Sequence, residues 1–336
     1  MERKKALVLG ATGGIGGSIA AALVRHGWQV RGMARNVATA QAAGPAGIKW
    51  VDGDAMRYAD VVAAAQGVSI IVHAVNPPNY MNWEQLVMPM IENTIAAARV
   101  VGARIVLPGT IYNFDPAATP IISAESPQRP KSRKGMIRVA LEQRLEQVAP
   151  EVPSLIMRAG DFFGPGARSS WFAQAMVTAG KPLRRIINPA RVAGHSWAYL
   201  PDLAETFARL VEAPERLKSF EVLQFEGLYD DDATRMVEAI RTVCGRKLRV
   251  YGFPWWLMRL AAPFGGFPRE AAEIAQYWRH PARLDNHRLV QLLGEEPRTL
   301  LDSAVRSALA ALDCLDRPVQ PQMAHGVNTP SAKAGE

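Results

Sequence analysis

Near the start of the chain glycine recurs at every third position, in Gly10-Ala-Thr-Gly13-Gly-Ile-Gly16, directly after the apolar run Lys5–Gly10. Glycine has a specific use there. It lets the backbone turn tightly and approach a bulky anion, so that the N–H groups opening the next helix can take the negative charge. A glycine spacing alone is weak evidence, but this one sits between a strand-like run and a helix-like one. It predicts a dinucleotide held by Gly10, Thr12, Gly13, Gly14, Ile15 and Gly16, with a tight structural turn as the competing reading. The second strand-like run ends at Arg35, where NAD-binding sites usually carry an acid for the ribose hydroxyls. A guanidinium suits a 2′-phosphate instead, so the sequence favours NADP(H) over NAD(H), with Arg31 as a weaker candidate.

Such a loop needs a buried parallel strand before it and a helix after it. The runs Lys5–Gly10, Gln29–Ala34, Ile48–Val51, Val68–His73, Arg104–Leu107 and Ser154–Met157 are short and apolar on both faces, as buried parallel strands are. Helical patterns lie between most of them. Ile15, Ile19 and Leu23 share a face that stops at His26-Gly27; Trp83 to Val101 forms a longer helix; Ile137, Leu141, Leu145 and Val148 line another. This alternation predicts an α/β fold with helices on both faces of a parallel sheet. Further on, Pro201 to Ala213 and Leu301–Leu312 read as helices and Phe220–Phe225 as a strand. Pro254 to Trp278 reads as two short helices around a bend at Pro263, Gly265, Gly266 and Pro268.

Composition bounds the rest. The 336 residues are 49% hydrophobic and 21% charged, which excludes wholesale disorder, collagen and coiled coil. Basic residues number 39 against 31 acidic, giving +8, compatible with anionic small ligands, nucleic acid or a membrane surface. No DNA-reading motif accompanies that charge, so no nucleic-acid partner is expected. Cys244 and Cys314 are too few for a disulfide framework, and no His/Cys/Asp spacing suggests a metal. No leader-like start and no apolar stretch of about 20 residues are present, so no membrane span is expected and the expected location is cytoplasmic.

Several segments together resemble the extended branch of the short-chain dehydrogenase/reductase superfamily, the epimerase/dehydratase/reductase group. The glycine loop is joined by Gly53-Asp54 after the third strand, Arg158-Ala-Gly-Asp-Phe-Phe-Gly164-Pro165, Trp197-Ala-Tyr199-Leu-Pro-Asp202-Leu-Ala and Leu293-Gly294 followed by Pro297 and Thr299. The resemblance covers roughly residues 5 to 312. It implies a Rossmann-type doubly wound parallel sheet with a smaller, mostly C-terminal substrate-binding subdomain. The expected division gives 1–160 to the cofactor part, with 190–225 returning to it, 161–190 and 226–316 to the subdomain, and 317–336 to a disordered tail. The resemblance also implies that Asp54 contacts the adenine and that Ala74, Val75 and Asn76 run beside the nicotinamide ribose. His73, at the end of the fourth strand, reads as structural.

The superfamily's catalytic segment pairs a Ser or Thr after the fifth strand with Tyr-x-x-x-Lys on the next long helix. That tyrosine moves the proton and the lysine holds the ribose and lowers the phenol's pKa. No Tyr-x-x-x-Lys is present here. Anchoring on Glu142, which matches a family glutamate, puts Arg138 at the lysine position and Lys134 at the tyrosine position, in a basic segment from Arg129 to Arg138. Thr110 is the nearest hydroxyl to the family serine, and Tyr112 matches a pocket-lining tyrosine. Lys134 with a lowered pKa could donate the proton, or Tyr112 or Tyr199 could replace it. Arg138 could hold the ribose but is a poor proton donor.

Asp161, His195 and Tyr199 fall in segments that resemble pocket-lining ones, although a structural role is the stronger reading for His195. Arg184, Arg185 and Arg191, with the Arg129–Arg138 segment, could make an anionic pocket or a basic surface. Trp255, Trp256, Leu257 and Leu260 form an apolar patch read first as core, with a homodimer or membrane contact as the alternative. The first functional expectation is an NADP(H)-dependent oxidoreductase on a small carbonyl or hydroxyl substrate. The alternatives are a non-catalytic NADP(H) sensor and a nucleotide-sugar epimerase or dehydratase.

Overall fold

The computed structural model describes residues 4–77, 83–190 and 193–316. The expected disordered tail and Arg191 lie outside the described residues. Along the first part run β1 (Lys5–Leu9), α1 (Gly14–Arg25), β2 (Gln29–Ala34), α2 (Val37–Ala43), β3 (Ile48–Asp52), α3 (Tyr58–Ala65), β4 (Ile70–His73), α4 (Trp83–Val101) and β5 (Arg104–Pro108). Next come β6 (Ile121–Ile122), α5 (Arg133–Val148), β7 (Ser154–Ala159), β8 (Asp161–Phe163), β9 (Arg185–Asn188), β10 (His195–Tyr199), α6 (Leu200–Glu212) and β11 (Phe220–Phe225). The chain continues with β12 (Leu228–Asp230), α7 (Arg235–Cys244), β13 (Arg249–Gly252), α8 (Trp255–Ala261), α9 (Gly266–Ile274), β14 (Arg283–Leu284), α10 (His287–Leu293) and α11 (Leu301–Ala311).

The main sheet has seven strands in the order β11-β7-β5-β4-β1-β2-β3, and all its pairings are parallel. The chain builds outward from β1 in one direction through β2 and β3, and in the other through β4, β5, β7 and β11. The direction therefore reverses between β1 and β4, which opens a crevice beyond their carboxyl ends. Strand alternation sets the two core layers. Ala6 and Val8 of β1 face α1 and α6, whereas Leu7 and Leu9 face α3, α4 and α5.

A third apolar cluster lies outside the sheet and joins the segment after β8 to α7, α9 and α11. Short strands hold this part together, with β12-β10-β8 as a three-stranded sheet and β13-β9 as a pair. Helix α1 stops where the sequence places its stop, with Gly27 in the left-handed region at φ 81°. No helix among the described residues is long and apolar enough to cross a membrane.

Candidate active site

The glycine loop lies at the crevice because β1 ends there and α1 begins. Gly10 has φ +85°, and a Cβ on it would stand 2.6 Å from the Ala74 carbonyl oxygen. A Cβ on Gly14 would stand 2.7 Å from the Gly166 carbonyl oxygen, and one on Gly16 would run into the carbonyl of Gly10. Gly13 is the N-cap of helix α1, which therefore has no capping side chain, and there is no acid in its first turn. This bare backbone cradle and positive helix end fit the pyrophosphate of a dinucleotide. Thr12 is exposed on the loop. Asp54 follows β3, where its carboxylate accepts the Met56 N–H at 2.9 Å and its own N–H donates to Asp60 at 3.0 Å.

A cleft of about 200 Å³ adjoins the loop at the carboxyl ends of β4, β5 and β7. It brings together Ile15, Ala74, Val75 and Asn76 with Thr110, Tyr112, Arg138 and Asp161. Helix α5 supplies Arg138, whose guanidinium donates to Asn76 Oδ1 at 3.3 Å and lies 4.9 Å from the centre of the Trp83 ring. The loop after β5 supplies Thr110 and Tyr112. Tyr277 fastens that loop by donating its hydroxyl toward the carbonyls of Tyr112 and Phe114, 2.8 and 3.0 Å away. Burial pushes the Tyr277 hydroxyl up to about 12, so it stays a donor.

Asp161 opens β8, which runs parallel to β10 with Asp161 opposite Trp197. This register brings His195 behind the carboxylate, with Nε2 2.9 Å from Asp161 Oδ2. The imidazole is buried and stacked on Trp278, ring centres 3.7 Å apart and planes at 13°. Asp161 thus lines the cleft while His195 stands one step behind it.

His73 also lines the cleft, and its Nδ1 is 2.8 Å from Thr94 Oγ1. The Thr94 hydroxyl donates to the Met90 carbonyl, so Nδ1 carries the proton between His73 and Thr94. Burial, and then the Arg138 charge, lower its pKa to about 3, so the ring is neutral with Nε2 as acceptor.

Other expected residues stand elsewhere. Lys134 does not reach the cleft. Its ammonium is buried in ion pairs with Glu270 and Glu273, the latter at 2.8 Å, which removes the basis for a proton-donating amine. Tyr199 packs against Phe163, ring centres 5.2 Å apart, and is not among the cleft-lining residues. Arg31 donates to the Ala64 carbonyl and, at 3.0 Å, to that of Gln66, so it is committed to the end of α3. The basic segment is largely neutralised: Lys131 pairs with Asp115 at 2.5 Å and Arg133 with Glu84 at 3.3 Å, leaving Arg138 as its contribution to the cleft. Arg184 and Arg185 are exposed. Glu142 is the buried partner of Arg158, 2.6 Å from Nη2, and so docks α5 against β7.

Sequence reading missed Trp83, Ser169, Ser170 and Trp171, which also line the cleft. Trp83 could have been found as the first apolar residue of a helix that starts beside Ala74–Asn76. The two serines lie in the loop after β8 and Trp171 opens the short helix that follows it, and no motif marks them.

An NAD(P)H-binding family model matches residues 10–128. No curated protein matches the chain at significant similarity. Among solved structures, UDP-glucuronic acid 4-epimerase from Bacillus cereus in complex with NAD is 15% identical with TM-score 0.70, covering 92% of this chain and 98% of its own. The enzyme WbmH of Bordetella bronchiseptica, in complex with NAD+, is 18% identical with TM-score 0.66, covering 92% and 98%. UDP-glucose 4-epimerase from Bifidobacterium longum, in complex with NAD+ and UDP, is 14% identical with TM-score 0.64, covering 91% and 97%. At these identities the likeness is one of fold. All three hold NAD rather than its phosphate, which overturns the expectation of NADP(H) drawn from Arg35. Arg35 is an exposed charge just beyond β2.

Proposed function

The chain has the fold of the extended short-chain dehydrogenase/reductase superfamily and an NAD(P)H-binding segment at its start, and from this premise we propose an NAD(H)-dependent enzyme of the epimerase and oxidoreductase kind. It acts at a hydroxyl- or carbonyl-bearing carbon of a small molecule, with a nucleotide-sugar as the best-supported class. The observation that carries the reading is the meeting of the bare glycine cradle with a cleft lined by Thr110, Tyr112, Arg138 and Asp161. A bound nicotinamide would supply a hydride acceptor and donor.

The chain's own residues divide the remaining work. Gly10, Gly13, Gly14 and Gly16 receive the pyrophosphate. Arg138, held by Asn76, holds ribose hydroxyls and stays charged throughout. The superfamily's proton-moving phenol is absent, and Asp161 backed by His195 is the cleft's carboxylate–imidazole pair. We assign the substrate proton to that pair, with Thr110 and Tyr112 orienting the reacting oxygen by hydrogen bonds. A non-catalytic NAD(H)-binding role is the second reading, favoured by the withdrawal of Lys134 into its ion pairs.

The test is to incubate the protein with NAD+ and a panel of UDP-hexoses and UDP-hexuronic acids, following sugar configuration by NMR. NAD(H) binding is read in parallel from nicotinamide fluorescence. Turnover is expected, and Asp161→Asn should lower it by about 10²–10⁴ while leaving NADH binding unchanged. Binding without turnover of any sugar would favour the sensor reading, and no binding of NAD(H) would end both.

A further inference from the structure

The α8–α9 hairpin carries an apolar surface that the cleft does not use. Trp255 anchors its base: Nε1 donates to the Pro189 carbonyl at 2.9 Å and the ring packs on Trp171 and Phe253. The next turns face outward. Trp256 is 63% exposed, Leu260 67% and Phe264 92%, with Leu257 and Phe267 also exposed. The first expectation for this patch, that it is core, therefore holds for Trp255 and fails for Trp256, Leu257 and Leu260. The bend between the helices runs through Gly265 and Gly266, both at positive φ, and neither has an atom closer than 4.0 Å to an added Cβ. Phe264 therefore stands at a protruding tip.

The outward charges of the hairpin itself have one sign. Arg259, Arg269 and Arg279 are exposed. The acids of the hairpin, Glu270 and Glu273, are turned inward onto Lys134. Beside α8 a cavity of about 440 Å³ is lined by Trp255, Trp256, Arg259, Trp278 and Arg279, so indole walls and guanidinium groups face the same space. The whole chain adds a net charge of +8.

We propose that the α8–α9 hairpin docks onto the surface of an anionic phospholipid bilayer. Trp256, Leu257, Leu260, Phe264 and Phe267 enter the boundary between headgroups and acyl chains. Arg259, at the cavity, receives a phosphodiester headgroup. Aromatic and leucine side chains mixed with arginine on a short amphipathic element are what such an interface takes up. The charge pattern selects the bilayer over a second copy of the chain. Two hairpins face to face would oppose arginines to arginines with no outward acid of the hairpin between them, whereas an anionic surface complements them. A tip with a nearly bare phenylalanine also suits insertion better than the flat contact of a two-fold pair.

Flotation of the full chain with vesicles tests this. Vesicles of phosphatidylcholine mixed with phosphatidylglycerol should carry the protein, and vesicles of phosphatidylcholine alone should not. The Trp emission should shift to the blue on binding. The double variant Leu260→Glu and Phe264→Glu should reduce partition by about tenfold or more, with its circular dichroism and melting temperature unchanged. Failure to float with the anionic vesicles would overturn the proposal. Undiminished flotation of the double variant would overturn it too, because net charge alone would then account for binding. A dimer in sedimentation velocity that the double variant dissolves would assign the surface to a second copy instead.

Discussion

Gly16 lies so close to the Gly10 carbonyl that the loop has no room for one more carbon. The Gly16→Ala variant should lose about 1–3 kcal/mol of stability by overpacking, as read by denaturant titration, and should bind NADH much more weakly. That part of the site was legible in the sequence because it is contiguous: strand, glycines and helix lie within one short stretch. Arg138 was legible by its spacing from Glu142, which proves to be the buried partner of Arg158. The fate of Lys134 was not. Its partners Glu270 and Glu273 are 136 and 139 residues away, and nothing local announces that two carboxylates will surround it. The pairing of Asp161 with His195 is intermediate. Both residues stood out separately, but only the β8–β10 register joins them.

At the scale of elements, β4 and α4 are joined by a neutral buried histidine, and this makes their packing sensitive to acid. The His73 ring has its pKa lowered to about 3 by burial first and the Arg138 charge second, against 6.5 when exposed. The neutral form is the folded one, so its contribution is complete above pH 6.5 and is lost as the pH falls from there toward 3. Between pH 6.5 and about 5, where few carboxylates titrate, His73 should cost about 2 kcal/mol of stability. Urea titrations across that window should show the loss, and His73→Asn should flatten it. Buried parallel strands were read closely from their unbroken apolar runs, since both faces are covered. The α8–α9 segment misled for the matching reason. An apolar run records that a surface avoids water, but not whether this same chain supplies the cover.

At the scale of the whole molecule, two buried ionic contacts tie α5 to its surroundings. Arg158 and Glu142 fix it to the main sheet, and Lys134 fixes it to α9 of the smaller part. Lys134→Met should leave two part-buried carboxylates uncompensated and destabilise the fold by about 3–5 kcal/mol, visible in thermal unfolding. Adding Glu270→Gln and Glu273→Gln to it should recover much of that loss. The same contact limits which side chains can act from position 134. A tyrosine placed at position 134 would meet the carboxylates of Glu270 and Glu273 rather than the cleft. A phenol at this place could serve the cleft only if α9 changed as well, so a contact more than a hundred residues away decides what position 134 can do.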